Sequence, residues 1–262
     1  MTTLVLATRN AHKIQEIRAL LPARFALRSL KNFPAAPPVV EDAGTFAGNA
    51  TKKAVTLARW LAIFHIPVAA PRKSAAEQSS TLRKVSGALT RRRYRCMESE
   101  EWFVLADDSG LEVDALDGAP GVHSARFAAL DRAAGKAANS PDVANNAKLL
   151  RLLAGVPEAR RTARFRCVLA LTPVLPPQPE TASPACYTEE GELRTRLFEG
   201  ACEGRIAFAA SGRGGFGYDP LFVPEGFSAT FAELGEAEKN KLSHRARALG
   251  KLREFFEKLS IA

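Results

Sequence analysis

Trp102-Phe103-Val104-Leu105-Ala106-Asp107-Asp108-Ser109-Gly110 is the stretch on which the reading of the fold turns. Its apolar first half has the length and density of a strand buried on both faces. The two carboxylates then stand where such a strand leaves an open α/β sheet, which is where those sheets hold their ligands. Paired carboxylates have the chemistry to hold a hard divalent cation and to activate water. An Asp-Ser-Gly turn that only satisfies its own backbone fits the same letters. On this stretch alone the two readings stand level.

Upstream, Thr3 to Ala7 reads as a strand and Asn10 as the cap of a helix carrying Ile14, Ile17 and Leu21, stopped by Pro22. A second helix is predicted from about Thr45 to Leu61, with Phe46, Ala50, Ala54, Leu57 and Leu61 on one stripe. Downstream, Asp142 to Leu153 reads as a helix behind Pro141. Arg164 to Leu171 alternates as a half-buried strand, with Thr195 to Ile206 as its antiparallel return. Leu221 to Val223 is a short strand, and Ser243 caps a last helix bearing Leu249, Leu252, Phe256 and Leu259. Helices and strands alternate early and strands pair late, so the expectation is one α/β domain over residues 1–262 with a mixed sheet.

The chain carries 37 basic and 28 acidic residues, for a net charge of +9, which favours anionic partners without naming them. Eight of the basic residues, against four glutamates, lie between Pro71 and Glu101, a stretch of Ser, Ala, Arg and Lys without periodicity. It reads as an inserted, disordered surface loop, although Arg91-Arg92-Arg93-Tyr94-Arg95 has the chemistry to grip phosphates. Pro173 to Gly191 reads as an extended hairpin loop. Cysteines at 96, 167, 186 and 202 show no Cys-x-x-Cys spacing, and the four histidines form no ligand pattern. Reduced thiols of a cytoplasmic protein are expected, with neither a disulfide framework nor a zinc site. No stretch approaches the roughly 18 apolar residues of a membrane span, and the first residues lack a basic leader.

Four further segments gather polar groups beyond what packing needs. Thr8-Arg9-Asn10-Ala11-His12-Lys13 opens the first helix, whose free N–H groups attract phosphate, with Lys13 one turn in. Glu41-Asp42 precedes a helix on which Asn49 and Lys53 share a face; Lys53 suits a phosphate and Glu41 a cation, although a solvated acidic loop reads as well. Ser211 to Pro220 interleaves four glycines with Phe216, Tyr218 and Asp219, a pattern suited to stacking on a flat base. Lys239, His244 and Arg245, around the start of the last helix, offer donors to an oxygen-rich ligand. Together with Asp108 these make the inventory of a nucleoside triphosphate site.

In this order, and with Gly118-Ala119-Pro120-Gly121, Ser124-Ala125-Arg126 and Asn145-Asn146 between them, the motifs resemble the inosine triphosphate pyrophosphatase family, the Ham1-like non-canonical purine nucleoside triphosphatases. The resemblance implies a long twisted mixed sheet flanked by helices, in two lobes around a nucleotide cleft, and a homodimer. It implies Mg²⁺-dependent hydrolysis of ITP, dITP and XTP to the monophosphate and pyrophosphate. Asp108 matches the catalytic base and metal ligand, Glu41 the other metal carboxylate, and Lys13 and Lys53 the phosphate-side catalytic lysines. Thr8 and Asn10 match the phosphate side, and Arg9, Ala11, His12 and Asn49 match further substrate-binding positions. Ser109, Phe216, Gly217, Tyr218, Asp219, Lys239, His244 and Arg245 match the nucleoside side. The stretches 71–101 and 173–191 depart from the family's usual lengths. Two rival readings remain: a pyrophosphatase with another base preference, and a nucleic-acid binder acting through the basic insertion, the less favoured of the two.

Overall fold

The computed structural model describes residues 2–64, 101–131, 138–175 and 194–259. The expected insertion at 71–101 and hairpin loop at 173–191 lie outside the described residues, apart from Glu101 and residues 173–175. In chain order the elements are β1 (Thr2–Leu6), α1 (Ala11–Leu20), β2 (Phe25–Ser29), α2 (Phe46–Phe64), β3 (Glu101–Val113), α3 (Asp142–Leu152), β4 (Thr162–Pro173), β5 (Arg196–Ile206), β6 (Phe222–Pro224), α4 (Phe231–Leu242) and α5 (His244–Leu259). One six-stranded sheet runs β2-β1-β3-β4-β5-β6. β2, β1 and β3 are parallel, and β3 to β6 are antiparallel. The expected mixed sheet flanked by helices is the observed architecture.

Each face of the sheet is closed by helices that carry the predicted apolar stripes. Val5, Val104, Ala106, Val168 and Ala170 meet Phe46, Ala50, Ala54, Leu57 and Leu61 of α2. On the other face Leu4, Leu6, Leu105, Leu169 and Leu171 meet Ile14 and Ile17 of α1 and Leu249, Leu252 and Phe256 of α5. Full burial of such side chains stabilises by roughly 1.5–3 kcal/mol each. Beyond the end of β1, the far halves of β3 and β4 build a third cluster, with Leu111, Phe165, Phe222, Phe127, Leu149 and Phe231. β3 and β4 thus tie the two ends of the molecule into one sheet.

Two expectations are corrected, and two elements were not anticipated. The strand does not end at Ala106: β3 continues through Asp107, Asp108, Ser109 and Gly110 to Val113. β1 leaves the sheet at Leu6, opposite Leu105, but β4 stays paired with β3 as far as Val113. That ladder overrides the turn propensity of Asp-Ser-Gly. Gly110 is needed for closeness rather than for a turn, since a Cβ there would collide with the Gly121 carbonyl and the Ser124 hydroxyl. β4 is half-buried only near its start; from Cys167 to Thr172 both faces are covered, because α2 lies over Val168 and Ala170. Edge strand β2 and helix α4 have no counterpart in the sequence reading.

Candidate active site

Neighbouring residues of a strand point to opposite faces, so β3 sends its two carboxylates to different surroundings. Asp107 turns toward α1 and α5, and Asp108 toward α2. The adjacent pair therefore meets two different sets of partners, although both residues line the larger cavity. Both nevertheless sit just past the last residue of β1 at the carboxyl end of the parallel strands, where a ligand site was expected.

Asp107 is the hub of a closed ionic cluster. Its carboxylate accepts from Lys13 Nζ, from Arg245 Nε at 2.8 Å, from Ser109 Oγ at 3.0 Å and from Cys167 Sγ at 3.3 Å. Arg245 also donates to Ser109 Oγ at 2.9 Å and to Glu16, and Glu16 in turn pairs with Lys239 at 2.8 Å. Burial alone would raise the Asp107 pKa, but Arg245 and Lys13 outweigh it and hold the carboxyl well below its usual range. Glu16 is lowered in the same way, the cations Arg245 and Lys239 outweighing burial. Cys167 is pushed well up by burial and by the Asp107 charge, so its thiol stays protonated.

Asp108 faces Lys53, whose ammonium donates to Asp108 Oδ1 at 2.9 Å and to the Asp107 carbonyl at 2.8 Å. Asn49 Nδ2 donates to Asp108 Oδ2 at 3.2 Å, and Asn49 Oδ1 accepts from the Ala43 amide at 3.0 Å, fixing the acidic loop to α2. Glu41 reaches the same ammonium at 3.4 Å. Burial raises the Asp108 pKa, and Lys53 opposes it only in part. Burial pulls the Lys53 pKa down, but Asp108 and Glu41 together lift it above its usual value. The lysine is thus held protonated between two carboxylates, while Asp108 becomes a stronger base than an ordinary aspartate.

These groups line a cavity of about 730 Å³ walled by Thr8, Asn10, Lys13, Glu41, Lys53, Asp108 and Arg126. Asn10 caps α1 by accepting from the Lys13 amide at 3.1 Å, and Thr8 Oγ1 accepts from the Asn10 amide at 3.1 Å. That leaves the helix N-terminus facing the cavity, and Arg9 lines it as well, while Ala11 is exposed at the first turn. Among the described residues no group of three or more His, Cys, Asp or Glu is placed to hold a metal ion. Mg²⁺ is ordinarily held by one or two carboxylates plus substrate phosphates. Glu41 and Asp108, converging on one cationic point at the cavity wall, fit that donor set; Asp107 also lines the cavity, but its carboxylate is taken by Lys13, Arg245, Ser109 and Cys167.

Of the nucleoside-side residues, Phe216 and Lys239 line a second recess, about 130 Å³, next to the exposed face of α1, and Ser109 lines the larger cavity. Phe216 lies between groups expected at different sites: its ring stacks on His12 with centroids 5.2 Å apart, and Lys239 Nζ lies 4.5 Å from its centroid. Asp219 Oδ2 holds both Lys239 Nζ at 2.6 Å and the Phe216 amide at 2.8 Å. Burial raises the Asp219 pKa against the pull of Lys239. Gly215, at φ 73, has no room for a side chain because a Cβ would collide with the Asp219 carboxylate. Gly217 is pinned on both sides: its amide donates to Asp142 at 2.7 Å and its carbonyl accepts from Asn146 Nδ2 at 3.0 Å. The loop is therefore braced rather than loose.

Three expected ligand contacts take other partners. Tyr218 is packed into the third core cluster and donates to the Ser124 carbonyl at 2.9 Å, so its ring is not offered for stacking. The reason is local: its neighbours Gly217 and Asp219 are both held, which turns the intervening side chain inward. Arg245, 1% exposed, spends its donors on Asp107, Glu16 and Ser109 and joins the two sites instead of facing either cavity. His244 is buried with its ring stacked on Phe165 at 4.9 Å, its pKa driven well down by burial and by Arg245, and, among the described residues, its Nδ1 has no hydrogen-bond partner. Residues 13, 53, 108, 219 and 245 nonetheless meet in one connected region.

Glu16 and Asp107 were missed as organising residues. A sequence signal for Glu16 existed, since an acid lies three residues after Lys13 and directly before the buried Ile17, on a helix whose first turn carries no acid. Asp142, a plain helix start by its sequence, is the acceptor that fixes Gly217; nothing local to it announces that contact.

The Ham1 family model matches residues 4–255. The chain is 42% identical over 98% of its length to a protein of Desulforamulus reducens named dITP/XTP pyrophosphatase, covering 97% of that relative. It is 39% identical to one of the same name from Shouchella clausii, covering 98% of each. A solved HAM1 protein from Coxiella burnetii superposes with a TM-score of 0.67 at 29% identity, covering 98% of this chain and 100% of that one. This chain belongs to the Ham1 family.

Proposed function

We propose that this Ham1-family chain hydrolyses the non-canonical purine nucleoside triphosphates ITP, dITP and XTP to the monophosphate and pyrophosphate, with Mg²⁺. The observation that carries the reading is Asp108: a buried carboxylate with a raised pKa, open to a cavity walled by Lys13, Lys53 and a capped helix N-terminus. The names of the relatives and the braced Phe216 recess support it.

The phosphate chain lies along the α1 N-terminus and Lys13, and the base lies toward Phe216. Asp108 takes a proton from water, whose oxygen attacks the α-phosphorus. The bond from that phosphorus to the bridging oxygen breaks, and pyrophosphate leaves with its electron pair. Lys53 stays protonated throughout and, lying against Asp108, offsets charge that builds during the step. Mg²⁺ on Glu41 and Asp108 supplies Lewis-acid neutralisation of the phosphate oxygens when bound. The ammonium of Lys239, beside the Phe216 ring at the recess, is the group we assign to a 6-keto purine. A 6-amino purine would present a donor to that donor, a mismatch worth up to about 10⁴–10⁵ in selectivity. A homodimer and a cytoplasmic location belong to the same reading, the first testable by sedimentation velocity.

Incubation of the purified protein with Mg²⁺ and a nucleotide panel tests the proposal. Pyrophosphate is expected from ITP, dITP and XTP, with little from ATP or GTP. Release of orthophosphate, or a preference for a pyrimidine triphosphate, would overturn it.

A further inference from the structure

The cations around the larger cavity fall into two groups. Lys13 is already neutralised by Asp107, and Lys53 by Asp108 and Glu41. Arg245 is closed between Asp107 and Glu16. Arg9 and Arg126 differ. Arg126 Nη2 donates at 3.3 Å to the backbone carbonyl of Glu41, and Arg9 Nη2 at 3.5 Å to that of Ala36. Among the described residues neither guanidinium has a carboxylate within ion-pair distance. Both line the cavity, so its wall holds two full positive charges matched only by carbonyl dipoles. His123 registers that charge: burial and the neighbouring Arg126 both depress its pKa.

The positions of the two arginines add a direction. The Phe216 recess opens beside His12, Gln15 and Glu16, on the exposed face of α1. Arg9 and Arg126 reach instead to the segment from Ala36 to Glu41, and Arg126 meets the backbone of the residue whose side chain touches Lys53. A nucleotide with its base at Phe216 and its α-phosphate at Asp108 directs its two outer phosphates at that segment. Arginine suits such a place, because its planar fork binds phosphate oxygens through paired N–H groups and stays charged.

We propose that Arg126, together with Arg9, forms the seat of the pyrophosphate leaving group, an inference that rests on the hydrolase reading above. Lys13 and Lys53 then order the two carboxylates of β3 and serve the phosphate chain nearest the α-phosphorus, and the outer phosphates meet the arginines. The product half that carries two phosphoryl groups is held there, while the monophosphate half is held from the α1 side.

Product inhibition separates the two halves. In ITP hydrolysis by the full-length protein, Arg126→Gln and Arg9→Gln are each expected to weaken inhibition by pyrophosphate about tenfold or more, the worth of a charge-assisted hydrogen bond. Inhibition by IMP is expected to stay within about twofold. Arg126→Lys, which keeps the charge without the fork, should fall between. Equal weakening for both products, or unaltered pyrophosphate inhibition, overturns the assignment. So does a result in which Arg126→Gln shifts only the Mg²⁺ activation curve and Arg9→Gln changes nothing, since the effect would then run through Glu41. Calorimetric titration of pyrophosphate into wild type and Arg9→Gln reads the same seat without turnover. A wild-type protein that binds pyrophosphate in an Arg9-dependent way yet releases none from any nucleotide refutes the hydrolase reading and leaves the anion seat standing.

Discussion

Asp107 and Asp108 are covalent neighbours on one strand, and their surroundings differ in almost every respect. The α1/α5 face gives Asp107 a full ring of donors from Lys13, Arg245, Ser109 and Cys167 and almost no exposure, 3%. The α2 face gives Asp108 only one ammonium and one amide, although both residues line the larger cavity. Their pKa values are displaced in opposite directions, Asp107 down and Asp108 up. A carboxylate surrounded by cations is held charged and organises structure, whereas one that burial makes reluctant to ionise accepts a proton readily. Two titratable groups pushed apart by their surroundings divide structural and chemical roles between them.

The widest gap between the two faces should show in turnover. Asp108→Asn is expected to lower kcat for ITP by roughly 10²–10⁴, the usual contribution of a positioned proton acceptor. Asp108→Asn also leaves the buried Lys53 with only Glu41, so its urea midpoint should fall, but by less than for Asp107→Asn because burial already disfavours the Asp108 charge. Pyrophosphate release and a denaturation curve on the same sample measure both. Near-normal kcat would remove Asp108 from the chemistry.

Asp107→Asn should cost more stability. It leaves Arg245 buried with only Glu16 to meet it, and breaking a buried pair from one side costs about 3–5 kcal/mol. Urea unfolding reads that loss directly. A loss below about 1 kcal/mol would place the pair among surface-like bridges and dissolve the contrast with Asp108.

Acid titration sharpens the comparison further. The depressed pKa of Asp107 contributes stability that is complete above the unfolded carboxylate value of 3.8 and is lost as pH falls through the lower folded value. Asp108, with its pKa raised above 3.8, protonates earlier on the same descent, which removes the base and, for that group, slightly favours the folded state. Turnover should therefore fall at a pH where circular dichroism still shows this part of the fold intact. Coincident loss of both signals would contradict the separation.

The smallest effect is a control on α2. Lys52, next to the buried Lys53, pairs with Asp42 at 2.5 Å with both side chains substantially exposed. Lys52→Ala should change stability by less than about 0.5 kcal/mol and leave turnover unaltered in the pyrophosphate assay. A large effect there would mean that the charge pattern of the whole helix, rather than the face of Lys53, matters.

Much of this was legible beforehand, because local chemistry and periodicity carry it. The α2 stripe from Phe46 to Leu61 and the α5 stripe from Leu249 to Phe256 are buried as their spacing demands. The Asn10 and Ser243 caps hold, the latter accepting from the Ala246 amide at 3.2 Å. β2 escaped because five residues of short edge strand, Phe25–Ser29, carry too few apolar positions to stand out. α4 escaped because Gly235, at φ 79, interrupts it. Tyr218 was misassigned because an aromatic in a glycine-rich loop reads the same whether it faces a ligand or the core.

From the residues alone came the mixed sheet, the order of its helices and the roster of charged groups, since these depend on spacing along the chain and on side-chain chemistry. Only the folded molecule decided which charges meet: that Asp107 and Asp108 part company, that Glu16 joins Arg245 to Lys239, and that Arg9 and Arg126, among the described residues, meet carbonyls and no carboxylate. The physical reason is that an ion pair is set by distance in space. Pairs such as Arg245 with Asp107, 138 residues apart, are created by the sheet that brings their strands and helices together.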